Sequence, residues 1–324
     1  MHRPPYTLTF SPYSRRFCSP VKTARGTKET REGIRISLCD TLGNTARSEI
    51  APWEGFGCES LNRAETVLRE FTGKSFSEER IFDRLSREAD LPCTRHAFSA
   101  AFFLLKNPEA AKAPEPPNTA ICKLILRNSS DCAETIAERI SRQQEFRSVK
   151  IKIGLSPLKD EIRFCEKILN FAAKNFPATK IRFDANGAWN SPEALTALTS
   201  LGTFPQLEFI EQPLSVSPEN DAAVYALPPS IAAKFALDES LREPWEMPTK
   251  TPVVAVVKPL LVGDFPRLRS WLAQKENAPR FVVSSVFETE AGRDILRFLC
   301  RENAENPRAL AAGIGTREAF ADAQ

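Results

Sequence analysis

Residues 148–154 read Ser-Val-Lys-Ile-Lys-Ile-Gly, a short strand-like run in which lysines alternate with β-branched residues. Successive side chains of a strand point to opposite faces, so Lys150 and Lys152 share one face and the branched residues share the other. If this strand lies at the centre of a sheet, both ammonium groups face inward. Two lysines on an inner face indicate a site rather than a packed core.

The run is part of a repeated pattern of strand, turn and helix that begins after residue 117. Several helices start with a cap residue followed by proline, as at Ser191-Pro192 and Ser217-Pro218. Short β-rich runs that alternate with helices indicate a parallel sheet with right-handed crossovers. About eight such units predict an α/β fold, a (β/α)8-type barrel over residues 118–316. The strand candidates are AICKLIL, VKIKI, KIRFD, LEFIE, KFALD, VVAVVK, RFVVSS and ALAAGI.

The part of the chain before the barrel has a different pattern. GIRISLCD alternates apolar and polar residues, TLGN supplies a turn and ARSEIAP forms a return strand. Three helical segments follow, and the proline-rich NPEAAKAPEPPN is typical of a linker. We predict an α+β capping domain over residues 1–107, with the C-terminal tail as a candidate to pack on it. The loop over residues 19–32 is either a lid or an ordinary surface loop.

The composition argues against several classes of protein. Lys+Arg 44 against Asp+Glu 41 gives a net charge of +3 with the basic residues scattered, so neither nucleic acid nor a membrane surface is a predicted partner. No apolar run approaches the roughly 18 residues that span a bilayer. The eight cysteines include no C-x-x-C pair, and the N-terminus lacks a secretory signal, so we expect reduced thiols and a cytoplasmic protein. The remaining partner is a small molecule, and the oligomeric state is left open.

The chain has two histidines, His2 and His96. This nearly excludes a Ser-His-Asp triad and a histidine-rich zinc site. His96 lies in RHAFSAAFFLL, whose apolar residues repeat at helical spacing. We therefore interpret His96 as a packing residue.

Charged or hydroxyl residues recur where the barrel strands end, about one β/α unit apart. The C-terminal ends of barrel strands converge on one mouth, where barrel enzymes keep their chemistry. Three carboxylates there repel one another unless a cation lies among them, and Mg²⁺ or Mn²⁺ suits oxygen ligands better than zinc does. The strand-end residues are Lys152, Asp184, Glu211, Asp238, Lys258, Ser284 and Ser285.

The lysines have a chemical use beside such a metal. Neighbouring positive charge disfavours the ammonium form of Lys152 and makes its amine available as a general base. We expect it to remove a proton next to a substrate carboxylate, with the metal stabilising the resulting enediolate. Each residue alone also has an ordinary interpretation, as a helix cap or a solvated loop residue. Lys150 can pair with a neighbouring acid, and Ser284 and Ser285 can fill the barrel end.

KIK, RFDANGAW, FIEQPL, ALDESL and VVKP resemble motifs of the enolase superfamily, in its muconate-cycloisomerase-type subgroup. The resemblance spans nearly the whole chain and implies a modified enolase-superfamily barrel with an N-terminal cap. It implies that Lys152 is the base, Lys150 its neighbour and Lys258 the opposing lysine. The implied Mg²⁺ ligands are Asp184, Glu211 and Asp238.

Further motifs, TREGIRISL, SEIAPWEGFGCESL, VVKPLLVGDF and VVSSVFETEAG, are similar to subgroup members of menaquinone biosynthesis. The implied reaction is syn dehydration of 2-succinyl-6-hydroxy-2,4-cyclohexadiene-1-carboxylate to 2-succinylbenzoate. Lys152 would take the proton and help the hydroxyl leave, while Lys258 would lie as a cation near the ring. Gly187 and Gly315 depart from the arginine and the acidic residue of some members. The implied substrate-binding residues are Ser284, Ser285, Gly313, Arg182 and Asn186.

Two other functions stay open. An N-acylamino acid racemase or a dipeptide epimerase of the same subgroup also uses two opposed lysines, although AAGIGT lacks the Asp-x-Asp that epimerases usually carry. A binding protein built on an inactive barrel is the alternative of another class. The intact lysines and carboxylates argue against it.

Overall fold

The computed structural model describes residues 5–23, 26–53, 56–88 and 90–323. In chain order these residues form a small antiparallel sheet, three helices, and then a parallel sheet that alternates with helices. The predicted α/β barrel with an N-terminal α+β cap is confirmed as the fold class. The predicted domain boundaries, 1–107 and 118–316, stay a prediction.

The cap sheet consists of β1 (Thr7–Thr23), β2 (Gly26–Cys39) and β3 (Thr45–Ile50), paired antiparallel in that order. Alternate residues of β2 are buried, among them Ile36 and Leu38, which are 1% and 0% exposed. The period of two in GIRISLCD therefore predicted this strand and its inner face correctly.

The segment 19–32 forms strands where a loop was predicted. β1 continues to Thr23 and β2 begins at Gly26, so the segment is the end of a long hairpin with a register shift between Arg16 and Val21. Residues 24 and 25 lie outside the described residues. Its Pro, Gly, Lys and Glu residues have little strand propensity, whereas the backbone hydrogen bonds come from pairing with the partner strand. A lid function for this hairpin stays a prediction.

Three helices, α1 (Leu61–Phe71), α2 (Glu78–Ser86) and α3 (Pro92–Lys106), pack beside the cap sheet. The first two begin after Ser60 and Ser77, whose hydroxyls accept backbone hydrogen bonds. Such caps satisfy N–H groups that the first turn of a helix leaves without partners. All three segments were predicted as helices.

The histidine and cysteine predictions agree with the structure. His96 lies in α3, is 4% exposed, and meets Phe265 edge to face with ring centroids 5.9 Å apart. Burial lowers the pKa of His96 to about 3, so the ring is neutral. The packing interpretation of His96 is confirmed. All eight cysteines are free thiols.

The barrel sheet contains seven parallel strands that pair in chain order. Each begins and ends within a few residues of the run predicted for it, and KIRFD and LEFIE match their strands end to end. The strands are β4 (Cys122–Ile125), β5 (Ser148–Lys152), β6 (Lys180–Asp184), β7 (Leu207–Glu211), β8 (Phe235–Leu237), β9 (Val254–Val257) and β10 (Phe281–Val283).

The predicted eighth strand, ALAAGI, is wrong as a regular strand. Ala312 forms an isolated parallel bridge with Ile121, and Gly313 forms one with Ser284. The segment therefore lies between β10 and β4 and closes the barrel through single bridges. Glycine in a strand interior weakens it, so Gly313 and Gly315 explain why no continuous ladder forms.

Helices follow most barrel strands. Ser217 caps its helix as predicted, whereas the predicted cap at Ser191 is displaced by one residue, because Asn190 forms a capping box with Glu193. Among the described residues, no helix has the length and apolar character that crossing a membrane requires. The helices are α4 (Ala133–Ser141), α5 (Leu158–Asn175), α6 (Ser191–Leu201), α7 (Pro218–Tyr225), α8 (Pro229–Ala232), α9 (Pro259–Val262), α10 (Phe265–Leu272) and α11 (Glu290–Glu302).

An apolar floor fills the inside of the barrel below the strand ends. It forms a cluster separate from the core between strands and helices and from the core of the cap. Inward side chains fill barrels of this size, so the interior is a packed core, and chemistry is confined to the mouth. The floor residues are Phe209, Ala236, Val254, Val256 and Val282, all 2% exposed or less.

The C-terminal tail returns to the cap sheet. Phe320 stacks on Phe17 of β1 with ring centroids 5.1 Å apart. The Arg15 Nε of the same strand donates to Asp322 Oδ2 at 3.0 Å. The segment that follows the barrel therefore packs on the cap sheet.

A buried ion pair lies behind the end of β5. The Arg127 Nη1 donates to Glu161 Oε2 at 2.8 Å, with the two side chains 4% and 0% exposed. The same Glu161 oxygen accepts from Gly154 N at 3.1 Å. The Arg127 guanidinium also lies 3.6 Å from the centroid of the Phe164 ring. These contacts hold the turn that follows Lys152.

Glu161→Ala is expected to lower the free energy of unfolding by about 3–5 kcal/mol, because it leaves Arg127 buried without a charge partner. Glu138→Ala is the matched control, since the Arg142–Glu138 pair is 70% and 68% exposed, and we expect a much smaller loss from it. Urea unfolding followed by circular dichroism measures both. Equal losses in the two variants would contradict a structural role for the buried pair.

Candidate active site

A cavity of about 820 Å³ lies between the cap and the mouth of the barrel. This volume suits a small molecule. The cap contributes residues 19–21, Trp53 and Phe56 to its lining. Every site residue predicted from the sequence lines this one cavity: Lys150, Lys152, Arg182, Asp184, Asn186, Glu211, Asp238, Lys258, Ser284, Ser285 and Gly313.

The strand register places the charged residues side by side. Lys152 pairs with Asp184 across β5 and β6, and Asp184 pairs with Glu211 across β6 and β7. Asp238 and Lys258 come directly after β8 and β9. Because the strands are parallel, these positions meet at the same end of the barrel.

Lys150 is ion-paired with two of the carboxylates. Its Nζ lies 2.9 Å from Glu211 Oε1 and 3.1 Å from Asp184 Oδ2. Burial lowers the pKa of the Lys150 ammonium, but the charges of Asp184, Glu211 and Asp238 outweigh burial and raise that pKa well above its ordinary value. In this arrangement Lys150 supplies positive charge and is not a proton acceptor.

Lys258 is held between the barrel and the cap. Its Nζ donates to both carboxylate oxygens of Asp238 and lies 4.1 Å from the centroid of the Phe56 ring. An ammonium over an aromatic face is attracted by the negative face of the ring. Strands β6, β7 and β8 lie between the strand of Lys152 and that of Lys258, so the two lysines approach the cavity from different walls.

The carboxylates carry more negative charge than their neighbours balance. Burial raises the pKa of Glu211 to about 8 and that of Asp238 to about 6, and the charge of Asp184 adds to both shifts. Glu239 is a fourth acid at the cavity, and burial raises its pKa as well. Its Oε1 accepts from Asn186 Nδ2 at 3.0 Å, and its Oε2 has no hydrogen-bond partner among the described residues.

The donor set fits Mg²⁺ in its chemistry. Carboxylate oxygens are the ligands that hard divalent cations take, and a cation would lower the raised pKa values of Glu211 and Asp238. Within the described ranges, however, no three His, Cys, Asp or Glu side chains are already arranged to hold a metal ion. The ammonium groups of Lys150 and Lys258 lie on the carboxylates instead. An ion bound by Asp184, Glu211 and Asp238 would replace those ammonium contacts.

Two residues at strand ends have a left-handed backbone, Asn186 with φ 46° and Gln212 with φ 39°. This conformation costs a residue other than glycine about 1–2 kcal/mol. Gln212 stabilises the neighbouring strand end, since its Oε1 accepts from Asp238 N at 3.0 Å and from Ser240 N at 3.2 Å. Gly187, where the family resemblance favoured arginine, has φ 73°, a conformation that favours glycine.

Arg182 is the most deeply buried of the predicted substrate-binding residues, at 2% exposure. Its Nε donates to Glu208 Oε2 at 2.6 Å and its Nη1 donates to Ala311 O at 2.8 Å. Its Nη2 has no hydrogen-bond partner in the part of the chain that the structure describes. Arg182 therefore keeps one amino group that is unpaired within the described chain, Nη2 with its two N–H bonds, at a side chain that lines the cavity.

The remaining predicted substrate-binding residues lie where the barrel closes. Ser284 and Gly313 face each other in a parallel bridge. Ser285 is bonded through its hydroxyl to Glu288 and to Thr316. The structure thus brings all the predicted residues together but gives the two serines different surroundings.

Sequence reasoning missed four residues of the site or its support. Glu239 and Gln212 directly follow predicted metal ligands, and the acidic doublet in ALDES was an available signal for the first. Phe56 and Glu288 lie inside the motifs SEIAPWEGFGCESL and VVSSVFETEAG, but their residue types and spacing marked neither of them as part of a site. Phe56 comes from the cap and lines the cavity, while Glu288 comes from a turn after β10 and is bonded to the lining residue Ser285, so only the tertiary fold gives them these places.

A capped parallel barrel with lysines on different walls and clustered carboxylates at its mouth is the arrangement of a barrel enzyme. The family described as "Enolase C-terminal domain-like" matches residues 131–250. The o-succinylbenzoate synthase of Mycolicibacterium smegmatis is 30% identical over 234 residues, 69% of this chain and 67% of that protein. The o-succinylbenzoate synthase of Thermosynechococcus vestitus is 28% identical over 301 residues, 91% of this chain and 88% of that protein.

A solved structure of an o-succinylbenzoate synthase is also similar to this chain. The o-succinylbenzoate synthase of Thermosynechococcus elongatus BP-1, complexed with Mg in the active site, has a TM-score of 0.78 and 25% identity, covering 97% of this chain and 94% of that one. The chain belongs to the enolase superfamily. The superfamily resemblance found in KIK, RFDANGAW and ALDESL is thereby confirmed, and in sequence the chain is similar to o-succinylbenzoate synthases within the superfamily.

Proposed function

We propose that this chain is a Mg²⁺-dependent o-succinylbenzoate synthase of menaquinone biosynthesis. It would convert 2-succinyl-6-hydroxy-2,4-cyclohexadiene-1-carboxylate to 2-succinylbenzoate and water through an enediolate. The observation that carries the proposal is the aligned register of Lys152, Asp184 and Glu211 at the mouth, with Lys258 on a different wall. The similarity to o-succinylbenzoate synthases over most of the chain supports the choice of reaction.

Lys152 is the proposed general base. Its amine removes the proton from the ring carbon that bears the carboxylate, and the C–H electron pair moves toward the carboxylate. The resulting ammonium returns that proton to the hydroxyl on the adjacent carbon. The C–O bond then breaks, water leaves, and the ring becomes aromatic. One lysine on one face suffices, because proton and hydroxyl leave from the same side.

The carboxylates and the other lysines have supporting roles in this proposal. Asp184, Glu211 and Asp238 would hold Mg²⁺, which when bound supplies positive charge to the substrate carboxylate as the enediolate forms. Lys150 balances the charge of the carboxylates. Lys258 presents its ammonium to the other ring face without exchanging a proton, a role consistent with its contact with Phe56.

Turnover of the purified protein tests this proposal directly. The cyclohexadiene substrate with Mg²⁺ is followed by absorbance, and N-acylamino acids and dipeptides are assayed in parallel. We expect dehydration to be the fastest of these reactions. Faster racemisation or epimerisation would favour another enzyme of the subgroup, and binding without turnover of any substrate would favour an inactive barrel.

Lys258→Arg is expected to retain more dehydration than racemisation of an N-acylamino acid. Arginine keeps the positive charge but does not act as a base at neutral pH, whereas racemisation needs a proton carrier on both faces. Both rates are measured on one preparation, so loss of folded protein cancels from their ratio. Lys167→Arg, at a side chain that is 59% exposed, is the control for the substitution itself. Loss of dehydration with retained racemisation would show that Lys258 carries a proton in the dehydration.

A further inference from the structure

The Ser285 hydroxyl has no proton left for a ligand. It donates to Glu288 Oε2, and this oxygen also accepts from Val286 N at 2.9 Å. The Ser285 Oγ itself accepts from Phe287 N at 2.9 Å. A serine hydroxyl has one proton and two lone pairs, so the proton is used by Glu288 and one lone pair by Phe287.

Thr316 uses the remaining lone pair of Ser285. The two hydroxyl oxygens are 2.8 Å apart. Because the Ser285 proton is committed to Glu288, the Thr316 hydroxyl is the donor in this contact. Ser285 therefore makes its full set of hydrogen bonds within the protein. These bonds link the turn after β10 to the segment that closes the barrel.

Ser284 is in the opposite situation. It lies at the cavity wall and is 5% exposed, and no hydrogen-bond partner of its hydroxyl is found among the described residues. Its Oγ points at Gly313, where an added Cβ would lie 2.9 Å from it. Glycine at 313 thus leaves room for this hydroxyl and for a ligand atom beside it.

Glu288 is buried and its turn is also tied to the cap. Glu288 is 2% exposed. Arg31 of β2 donates from Nε to Val286 O at 3.1 Å, and the Glu49 Oε1 of β3 accepts from Thr289 N at 2.9 Å. Contacts from both sides therefore hold the turn that carries Glu288, which makes it a rigid support for the strand end.

We propose that Glu288 is a positioning residue: it takes the Ser285 proton and so fixes the strand end that carries Ser284, which the family resemblance implies as the hydroxyl donor to the distal, succinyl carboxylate. The inference rests on the proposed function and deepens it. It divides the predicted serine pair into a ligand-binding residue, Ser284, and a supporting residue, Ser285. Glu288 acts through Ser285 and does not touch the substrate.

Glu288→Ala tests the inference through binding and kinetics together. We expect about a tenfold increase in KM and in the Kd of 2-succinylbenzoate, with kcat changed less than about threefold, because only an interaction with the distal carboxylate is weakened. The Kd of 2-propanoylbenzoate, which lacks that carboxylate, is expected to stay unchanged. Titration calorimetry with Mg²⁺ present gives both Kd values.

Further variants separate positioning from general loss of structure. Glu288→Gln keeps an oxygen that accepts from Ser285 and from Val286 N, so it is expected to restore wild-type KM. Ser285→Ala is expected to behave as Glu288→Ala does, while Ser284→Ala weakens 2-succinylbenzoate binding more, by about 10-fold to 100-fold. Glu290→Ala, at an exposed neighbour in α11, is the matched control.

The outcomes distinguish this inference from the proposed function. The inference is overturned if Glu288→Ala leaves the Kd of 2-succinylbenzoate unchanged, or if it weakens the binding of both ligands equally. Dehydration by the wild-type protein would still support the proposed function in either case. If Glu288→Ala does not fold, Ser285→Ala tests the inference in its place. A wild-type Kd of 2-succinylbenzoate in Ser285→Ala would then overturn the inference. A wild-type protein that binds 2-succinylbenzoate without dehydrating the substrate overturns only the function. One that does neither overturns both.

Discussion

Lys152→Ala is expected to lower kcat/KM for dehydration by between about 100-fold and about 10,000-fold, the range that a positioned general acid–base supplies. Lys152 ends β5 and lines the cavity beside Asp184. The same amine takes the proton and returns it to the leaving hydroxyl, so both steps fail together. Steady-state kinetics measures the loss, and circular dichroism checks the fold.

Two further variants show whether the loss of activity in Lys152→Ala comes from the missing base. Lys152→Arg keeps the charge but removes the base, so it is expected to be nearly as inactive as Lys152→Ala. Lys159→Ala, at an exposed position in the first turn of α5, is the control and is expected to keep wild-type activity. Substantial activity in a folded Lys152→Ala protein would end the assignment of Lys152 as the base.

Removal of divalent metal with EDTA is expected to lower turnover by about 1000-fold or more, and added Mg²⁺ or Mn²⁺ to restore it. The expected size follows from the several kcal/mol that a Lewis acid supplies to a developing negative charge. Glu211→Gln is expected to weaken Mg²⁺ binding, while Glu219→Gln, at an exposed residue of α7, is expected to leave it unchanged. Full activity in the chelator would contradict the metal proposal.

The pH dependence of metal binding has a definite sign. Burial raises the pKa of Glu211 to about 8 and that of Asp238 to about 6, so protons must leave these carboxylates before a cation binds. Mg²⁺ affinity is therefore expected to rise from pH 6 to pH 8, with protons released on binding below pH 8. Calorimetry in two buffers of different ionisation enthalpy measures the released protons. Affinity that is constant over this range would contradict the two raised pKa values.

The same shifts affect the stability of the metal-free protein. Glu211 and Asp238 have raised pKa values when folded, so the folded state holds protons that the unfolded chain has already released. Their contribution to stability is present at low pH and is lost as the pH rises through the raised values. The thermal shift produced by Mg²⁺ is therefore expected to be larger at pH 8 than at pH 6.

The sequence by itself determined the barrel and the kind of chemistry at its mouth. Alternation in VKIKI and the matching strand-end residues in KIRFD and LEFIE fixed which side chains face inward, because the period of a strand is a local property of the backbone. All the predicted site residues line one cavity for this reason. The superfamily motifs lie in the same short runs and were readable for the same reason.

The tertiary structure alone decided how these residues pair and what supports them. Lys150 is bonded to Glu211, Lys258 lies on Phe56 of the cap, and Ser285 is committed to Glu288. Residues distant in the chain make the first two contacts. The third depends on the path of a turn after a barrel strand. Local periodicity does not encode any of them, because the first two depend on where another element brings its side chain and the third depends on which acceptor takes the single hydroxyl proton.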